Sequence, residues 1–163
     1  MARVITKIGD VFSVKLDETT KKYFQYVAND ITQLNSDIIR AFSKTYPIDE
    51  KPDISDIVKD EVEFFAHTMI NLGVKMRFWE KAGKAPEIGK VDVVFRDSDD
   101  YGTPEIKISH KWYVWRINEK FVYVGKLEGE NQKAEIGIVL NPQDIVDRMR
   151  TGKYHFVYPG YQP

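Results

Sequence analysis

The run Asp10-Val11-Phe12-Ser13-Val14-Lys15-Leu16 alternates apolar and polar side chains, and this alternation indicates the kind of fold that the chain adopts. A period of two over seven residues is typical of a half-buried β-strand. The polar residues 17–22 predict a hairpin loop, and the aromatic-rich residues 23–28 predict a returning strand. We therefore expect the chain to begin with an antiparallel β-hairpin.

Further strands are expected along the rest of the chain. Residues 38–42 predict a third strand, although their apolar spacing also fits a short helix. Strands are also predicted at residues 61–70 and 91–95, followed by a hairpin of residues 112–117 and 121–127. Residues 71–90 contain three glycines and a proline, which predict a loop or irregular segment.

Two short helices complete the prediction. Asn141 is a good N-cap before Pro142, and Gly152 provides the stop. Asp53 caps a brief helix, and the aromatic tail 154–163 is expected to pack across the domain. The sequence thus predicts one α+β domain over residues 1–163, built on a strongly curved antiparallel sheet or a small open barrel.

Composition narrows the function classes. The chain has 163 residues, of which 42% are hydrophobic and 13% aromatic, as in folded domains. A net charge of −1 disfavours a dedicated nucleic-acid binder, which usually carries a basic excess. The absence of cysteine excludes zinc ribbons, disulfide scaffolds and cysteine nucleophiles. No signal peptide or membrane-length apolar run is visible, so a cytoplasmic location is expected.

No catalytic or metal-binding motif stands out. The three histidines form no HxH, HxxxH or HExxH pattern, and residues 97–108 would place Ile108 where a calcium loop needs its closing glutamate. We therefore predict no enzyme, no metal site and no cofactor. An unrecognised acid–base enzyme at Asp97, Asp99 or Asp100 would require a concave pocket that holds two carboxylates.

Three segments carry a family resemblance: residues 7–14 (KIGDVFSV), 23–26 (YFQY) and 33–40 (QLNSDIIR). Together they resemble the twenty-sixth immunity-protein family of bacterial polymorphic toxin systems. Members of that family look like compact β-rich cytoplasmic proteins encoded beside a toxin. The resemblance implies that the chain binds a cognate toxin domain and neutralises it.

Acidic and aromatic side chains are the candidates for contacting such a partner. We expect the contact surface to contain Asp97, Asp99, Asp100, Tyr101, Glu61 and Glu63. An alternative is a nucleic-acid or small-ligand binding barrel that uses Trp112 and Arg116 on the predicted hairpin. Alternation leaves open which face of that hairpin belongs to the core.

Overall fold

A computed structural model describes residues 3–163, and it has an α+β architecture of two β-sheets and three α-helices. The first sheet has the strand order β11-β5-β3-β2-β1-β6, with β4 also paired to β2. Its strands are β1 (Asp10–Lys15), β2 (Thr20–Asp30), β3 (Ser36–Phe42), β4 (Tyr46–Pro47), β5 (Val62–Thr68), β6 (Glu80–Lys84) and β11 (Val139–Leu140).

The second sheet has the strand order β10-β7-β8-β9. Its strands are β7 (Val94–Ser98), β8 (Trp112–Arg116), β9 (Val122–Gly125) and β10 (Glu135–Ile136). The helices are α1 (Ile54–Ile57), α2 (Ile70–Lys75) and α3 (Pro142–Thr151), with a short 3-10 helix at Gly129–Lys133.

The opening hairpin is confirmed, but both of its faces are covered. Phe12 opposes Phe24 across the β1–β2 ladder, and their rings stack with centroids 5.2 Å apart. Val11 points into a different apolar cluster from Phe12, and both are fully buried. The hairpin is therefore buried on both faces, whereas the alternation predicts a half-buried strand.

Residues 71–90 were wrongly predicted to be irregular. They contain most of α2 and all of β6, which pairs antiparallel with β1. Gly73 does not break α2; a side chain there would collide with the indole of Trp79, so the glycine allows close packing. β6 lacks an apolar pattern because it is an exposed edge strand.

The barrel and the purely antiparallel sheet are not found. Within residues 3–163 neither sheet closes on itself, and both are mixed, because β11 pairs parallel with β5 and β10 pairs parallel with β7. The predicted C-terminal helix is confirmed as α3. Asn141 accepts a hydrogen bond from the Asp144 amide at 3.0 Å, and Gly152 ends the helix at φ 85°.

The tail packs across the domain, as expected, through an aromatic chain of Tyr154, Phe156 and Tyr158. Tyr158 also packs beside Trp112 of the second sheet, with ring centroids 6.0 Å apart. Gly160 forms an isolated parallel bridge with Ile108. The tail therefore covers apolar surface on both sheets.

Asp30, at the end of β2, is a fully buried hydrogen-bond hub that joins the two sheets. One carboxylate oxygen accepts from His67 Nε2 at 2.8 Å and from Trp115 Nε1 at 2.9 Å. The other accepts from the amides of Asn118 at 2.9 Å and Thr32 at 3.1 Å. A buried carboxylate needs such donors, because an unpaired charge in the interior is costly.

His67 is the other buried member of this hub. It is fully inaccessible, its ring lies 4.2 Å from the ring of Phe95, and its Nδ1 has no hydrogen-bond partner among the described residues. Burial lowers the pKa of His67, although the hydrogen bond to Asp30 opposes the shift. Burial alone would raise the pKa of Asp30, but hydrogen bonds from His67, Asn118 and Trp115 bring it below its ordinary value.

These two shifts predict an acid-sensitive fold. A histidine whose pKa is lowered by folding contributes its full stability when the pH is above its pKa in the unfolded chain. That contribution is lost as the pH falls from the unfolded pKa through the lower folded pKa. Lowering the pH from 7 to 5 should therefore reduce the free energy of unfolding more steeply in the wild type than in His67→Gln. Urea denaturation across this range measures both slopes. Burial raises the pKa values of Asp97 and Glu135, so these two groups change stability with pH in the opposite direction. Both chains contain them, and the difference between the two slopes therefore isolates His67. Equal slopes would contradict the assignment.

Candidate functional site

Three aromatic side chains, two of them exposed, lie beside two carboxylates at the second sheet. We name this surface the aromatic–acidic face, and it consists of Asp97, Asp99, Tyr113, Phe121 and Tyr123. Asp97 opposes Tyr113 in the β7–β8 ladder, and Tyr113 opposes Tyr123 in the β8–β9 ladder. The strand register therefore brings residues from three segments onto one surface.

The aromatic part of the face is accessible to solvent. Tyr123 is 57% exposed and Phe121 is 46% exposed, and the Tyr113 and Tyr123 rings meet with centroids 5.1 Å apart. Phe121 packs edge-on against the buried Trp115 at 4.6 Å, which fixes its position. Aromatic residues contribute much of the binding energy in protein interfaces, and these two rings are held in place while remaining exposed.

The acidic part of the face lines a shallow depression of about 240 Å³, bounded by Asp97, Ser98, Asp99, Tyr113 and Phe121. The Tyr113 hydroxyl donates to Asp99 Oδ2 at 3.2 Å, and this hydrogen bond raises the pKa of Tyr113. Burial raises the pKa of Asp97, although its Oδ1 accepts from the Ser98 amide at 2.8 Å and from the Tyr158 hydroxyl at 2.9 Å. Two carboxylates beside aromatic faces suit a cationic side chain.

β9 forms one edge of the second sheet. Within the described part of the chain, no strand pairs with its outer side. Val122 and Tyr123 on this strand are both more than half exposed. An exposed apolar edge strand is a liability for aggregation unless a partner covers it.

The structure brings part of the predicted contact surface together. Asp97 and Asp99 share the depression. Tyr101 is 46% exposed and packs on Tyr158, which in turn donates to Asp97, so Tyr101 lies next to the aromatic–acidic face. Asp100, in contrast, is buried and accepts from the Ser109 hydroxyl at 2.7 Å, so it is not available to a partner.

Glu61 and Glu63 lie elsewhere. Glu63 is on β5 of the first sheet, where one carboxylate oxygen lies 3.6 Å from Lys22 Nζ. Glu61 precedes the same strand, and its carbonyl accepts from the Ser43 amide. Glu63 lies on the first sheet and Asp97 on the second, so the structure does not bring Glu61 and Glu63 into the depression that Asp97 lines.

The alternative ligand platform of Trp112 and Arg116 is not present. Trp112 is fully buried and donates from its indole to the Ser109 carbonyl at 3.0 Å. The guanidinium of Arg96 lies over one face of its ring, with 4.9 Å from Arg96 Cζ to the ring centroid. Arg116 is exposed and pairs with Asp92. Trp112 is therefore a core residue and is unavailable for stacking on a base.

Sequence reasoning missed the roles of Tyr113, Phe121 and Tyr123, because alternation could not decide which hairpin face is exposed. Tyr158 of the tail packs on Trp112, but Trp115, on the same strand face as Tyr113, is also buried, so burial on β8 does not follow strict alternation. The available signal was the apolar run at residues 121–124, which follows the charged turn residues Glu119 and Lys120. A half-buried edge strand would alternate apolar and polar residues, and this run does not.

The depression is also the place where the acid–base alternative would put its two carboxylates. It holds two carboxylates, as an acid–base enzyme would require, but its described lining provides no histidine, lysine or arginine. Among residues 3–163, no group of three or more histidine, aspartate or glutamate side chains is placed to hold a metal ion. No helix in this range is long and apolar enough to cross a membrane.

Comparison with family models, with curated proteins and with solved structures found no match to this chain.

Proposed function

We propose that this chain is an immunity-type protein that binds a toxin domain in the cytoplasm and neutralises it by direct contact. Two supports of different kinds lead to this proposal. The resemblance in residues 7–14, 23–26 and 33–40 suggests the class of partner. The aromatic–acidic face supplies a surface suited to binding it. The observation that carries the proposal is the exposure of Tyr123 on the edge strand β9 and of Phe121 just before it.

The proposed contact combines apolar and charged recognition. Phe121 and Tyr123 provide apolar area at the centre of the interface, where removal of water contributes most. The depression between Asp97 and Asp99 receives a lysine or arginine side chain of the toxin domain. Charge pairing of this kind raises the rate of association and selects among partners.

Tyr123→Asp should weaken the complex at least about tenfold, because it places a charge at the centre of an apolar contact. The test is capture from a lysate of the source organism with tagged wild-type and variant chains, followed by quantitative mass spectrometry. The wild type should enrich a protein with a toxin-like domain, and Tyr123→Asp should lose that protein.

Ile5→Asp is the matched control, because Ile5 is 64% exposed and lies in the N-terminal segment before β1. It introduces the same charge and should leave capture unchanged. Thermal unfolding of all three chains checks that each is folded. Equal capture by wild type and Tyr123→Asp, or loss with Ile5→Asp alone, would refute the aromatic–acidic face as the binding surface.

A further inference from the structure

A cavity lies on the first sheet, away from the aromatic–acidic face. It has a volume of about 560 Å³ and is lined by β1, the start of β2, and the segment that leaves α2. This volume is within the range of sites that hold small organic molecules. Val74 and Phe78 form part of its apolar wall.

The polar lining of this cavity is predominantly cationic. Lys15, Lys21 and Arg77 line it together with one carboxylate, that of Glu80. Lys15 lies 3.4 Å from Glu18, whose side chain is 92% exposed, so the pair is weakened by solvent. Lys21 donates to the carbonyl of Glu50 and lies 5.7 Å from the centroid of the Tyr23 ring, and among the described residues it forms no ion pair. We name the site lined by Ser13, Lys15, Lys21, Arg77 and Glu80 the basic cavity.

Arg77 occupies a backbone position that favours glycine. Its φ is 64°, in the left-handed region, directly after the C-cap of α2. The Arg77 amide donates to the Val74 carbonyl at 3.1 Å, and the Phe78 amide donates to the Gly73 carbonyl at 2.9 Å. This pair of bonds defines a Schellman motif, whose left-handed residue is usually glycine.

Arg77 is exposed, and its side chain lines the basic cavity. Its guanidinium makes no hydrogen bond or ion pair with any residue of the described chain, although it lines the basic cavity. Backbone strain at a site that also holds unpaired charge is a reason to look for a ligand. An arginine fork recognises phosphate through two parallel hydrogen bonds, and lysine adds charge.

We propose that the basic cavity binds a small phosphorylated molecule. The phosphate lies between Lys21 and Arg77 within reach of the Ser13 hydroxyl, and the apolar part of the ligand packs against Val74 and Phe78. Three cations opposed by one lining carboxylate match a doubly charged group better than a single carboxylate. The site is separate from the aromatic–acidic face, so it does not depend on the proposed toxin binding.

Backbone NMR titration with adenosine 5′-diphosphate, inorganic pyrophosphate and adenosine tests this proposal at low ionic strength. The diphosphate and pyrophosphate should shift the amide signals of Ser13, Lys21 and Phe78, and adenosine should not. Arg77→Gly should weaken pyrophosphate binding at least about tenfold and at the same time raise the melting temperature, because glycine relieves the left-handed strain.

Two matched variants sharpen the result. Arg77→Lys keeps the charge and should retain part of the binding without the gain in stability. Lys90→Gln removes an exposed charge outside the basic cavity and should bind like the wild type. No shift at the lining amides with either anion, or equal affinity in Arg77→Gly and wild type, would overturn the proposal.

Discussion

Asp30→Ala should lower the free energy of unfolding by about 3–5 kcal/mol, because it leaves several buried donors unsatisfied at about 1–3 kcal/mol each. The substitution leaves the indole of Trp115, the imidazole of His67 and the amide of Asn118 without their common acceptor. Each of these donors is held by a different part of the fold, so the loss should separate the two sheets as well as weaken one strand.

Urea denaturation measures this effect, and Asp30→Asn guards against a variant that does not fold. The amide retains one acceptor oxygen but turns a donor toward the remaining buried donors, so it should also destabilise, by about 1–3 kcal/mol. Asp92→Ala is the control, because Asp92 is exposed and pairs only at the surface. A change in Asp30→Ala no larger than in Asp92→Ala would show that Asp30 does not join the sheets.

Trp112→Ala should remove packing contacts in the core of the second sheet. It should lower the free energy of unfolding by about 3–5 kcal/mol, as expected for truncating a buried tryptophan. The indole packs against Leu127, Tyr158 and the guanidinium of Arg96. Removing it leaves a cavity and takes away the aromatic support of a largely buried cation. Burial already lowers the pKa of Arg96, and its Nη1 lacks a hydrogen-bond partner among the described residues.

The same variant separates the core role of Trp112 from the alternative role in nucleic-acid binding. Trp112→Phe keeps an aromatic ring but loses the hydrogen bond to the Ser109 carbonyl, so it should cost less than Trp112→Ala. Tyr123→Ala, on the exposed strand, should change stability by no more than about 0.5 kcal/mol. At low salt, the binding of single-stranded oligonucleotide should not depend on Trp112. A stable Trp112→Ala that loses oligonucleotide binding would restore the stacking hypothesis.

Local signals were enough to predict several elements. The alternation in residues 10–16 places a strand, and the cap, apolar stripe and terminal glycine from Asn141 to Gly152 place a helix, because each signal lies within one element. β6 could not be predicted in this way. Its sequence, EKAGK, has no apolar face, and it becomes a strand only because the edge of β1 is available to pair with it.

The candidate site was only partly predictable for a related reason. Asp97 and Asp99 were identified from the sequence, but alternation does not reveal that Phe121 and Tyr123 are exposed, because Trp112 and Trp115 are buried on opposite faces of β8. Asp100 resembles its acidic neighbours in the sequence, yet it is buried and accepts a hydrogen bond from Ser109, nine residues further along the chain. The Asp30 hub is less predictable still, because its partner Trp115 is 85 residues away along the chain.

Amide hydrogen exchange, measured on the free chain and on its purified complex with the captured partner, decides whether the aromatic–acidic face is the binding surface. The outer edge of β9 is unpaired in the described chain, so its amides should exchange quickly when free and slowly in the complex. The edge strand β6 of the first sheet should exchange equally in both states. Protection confined to the first sheet, with β9 unchanged, would contradict the proposed interface.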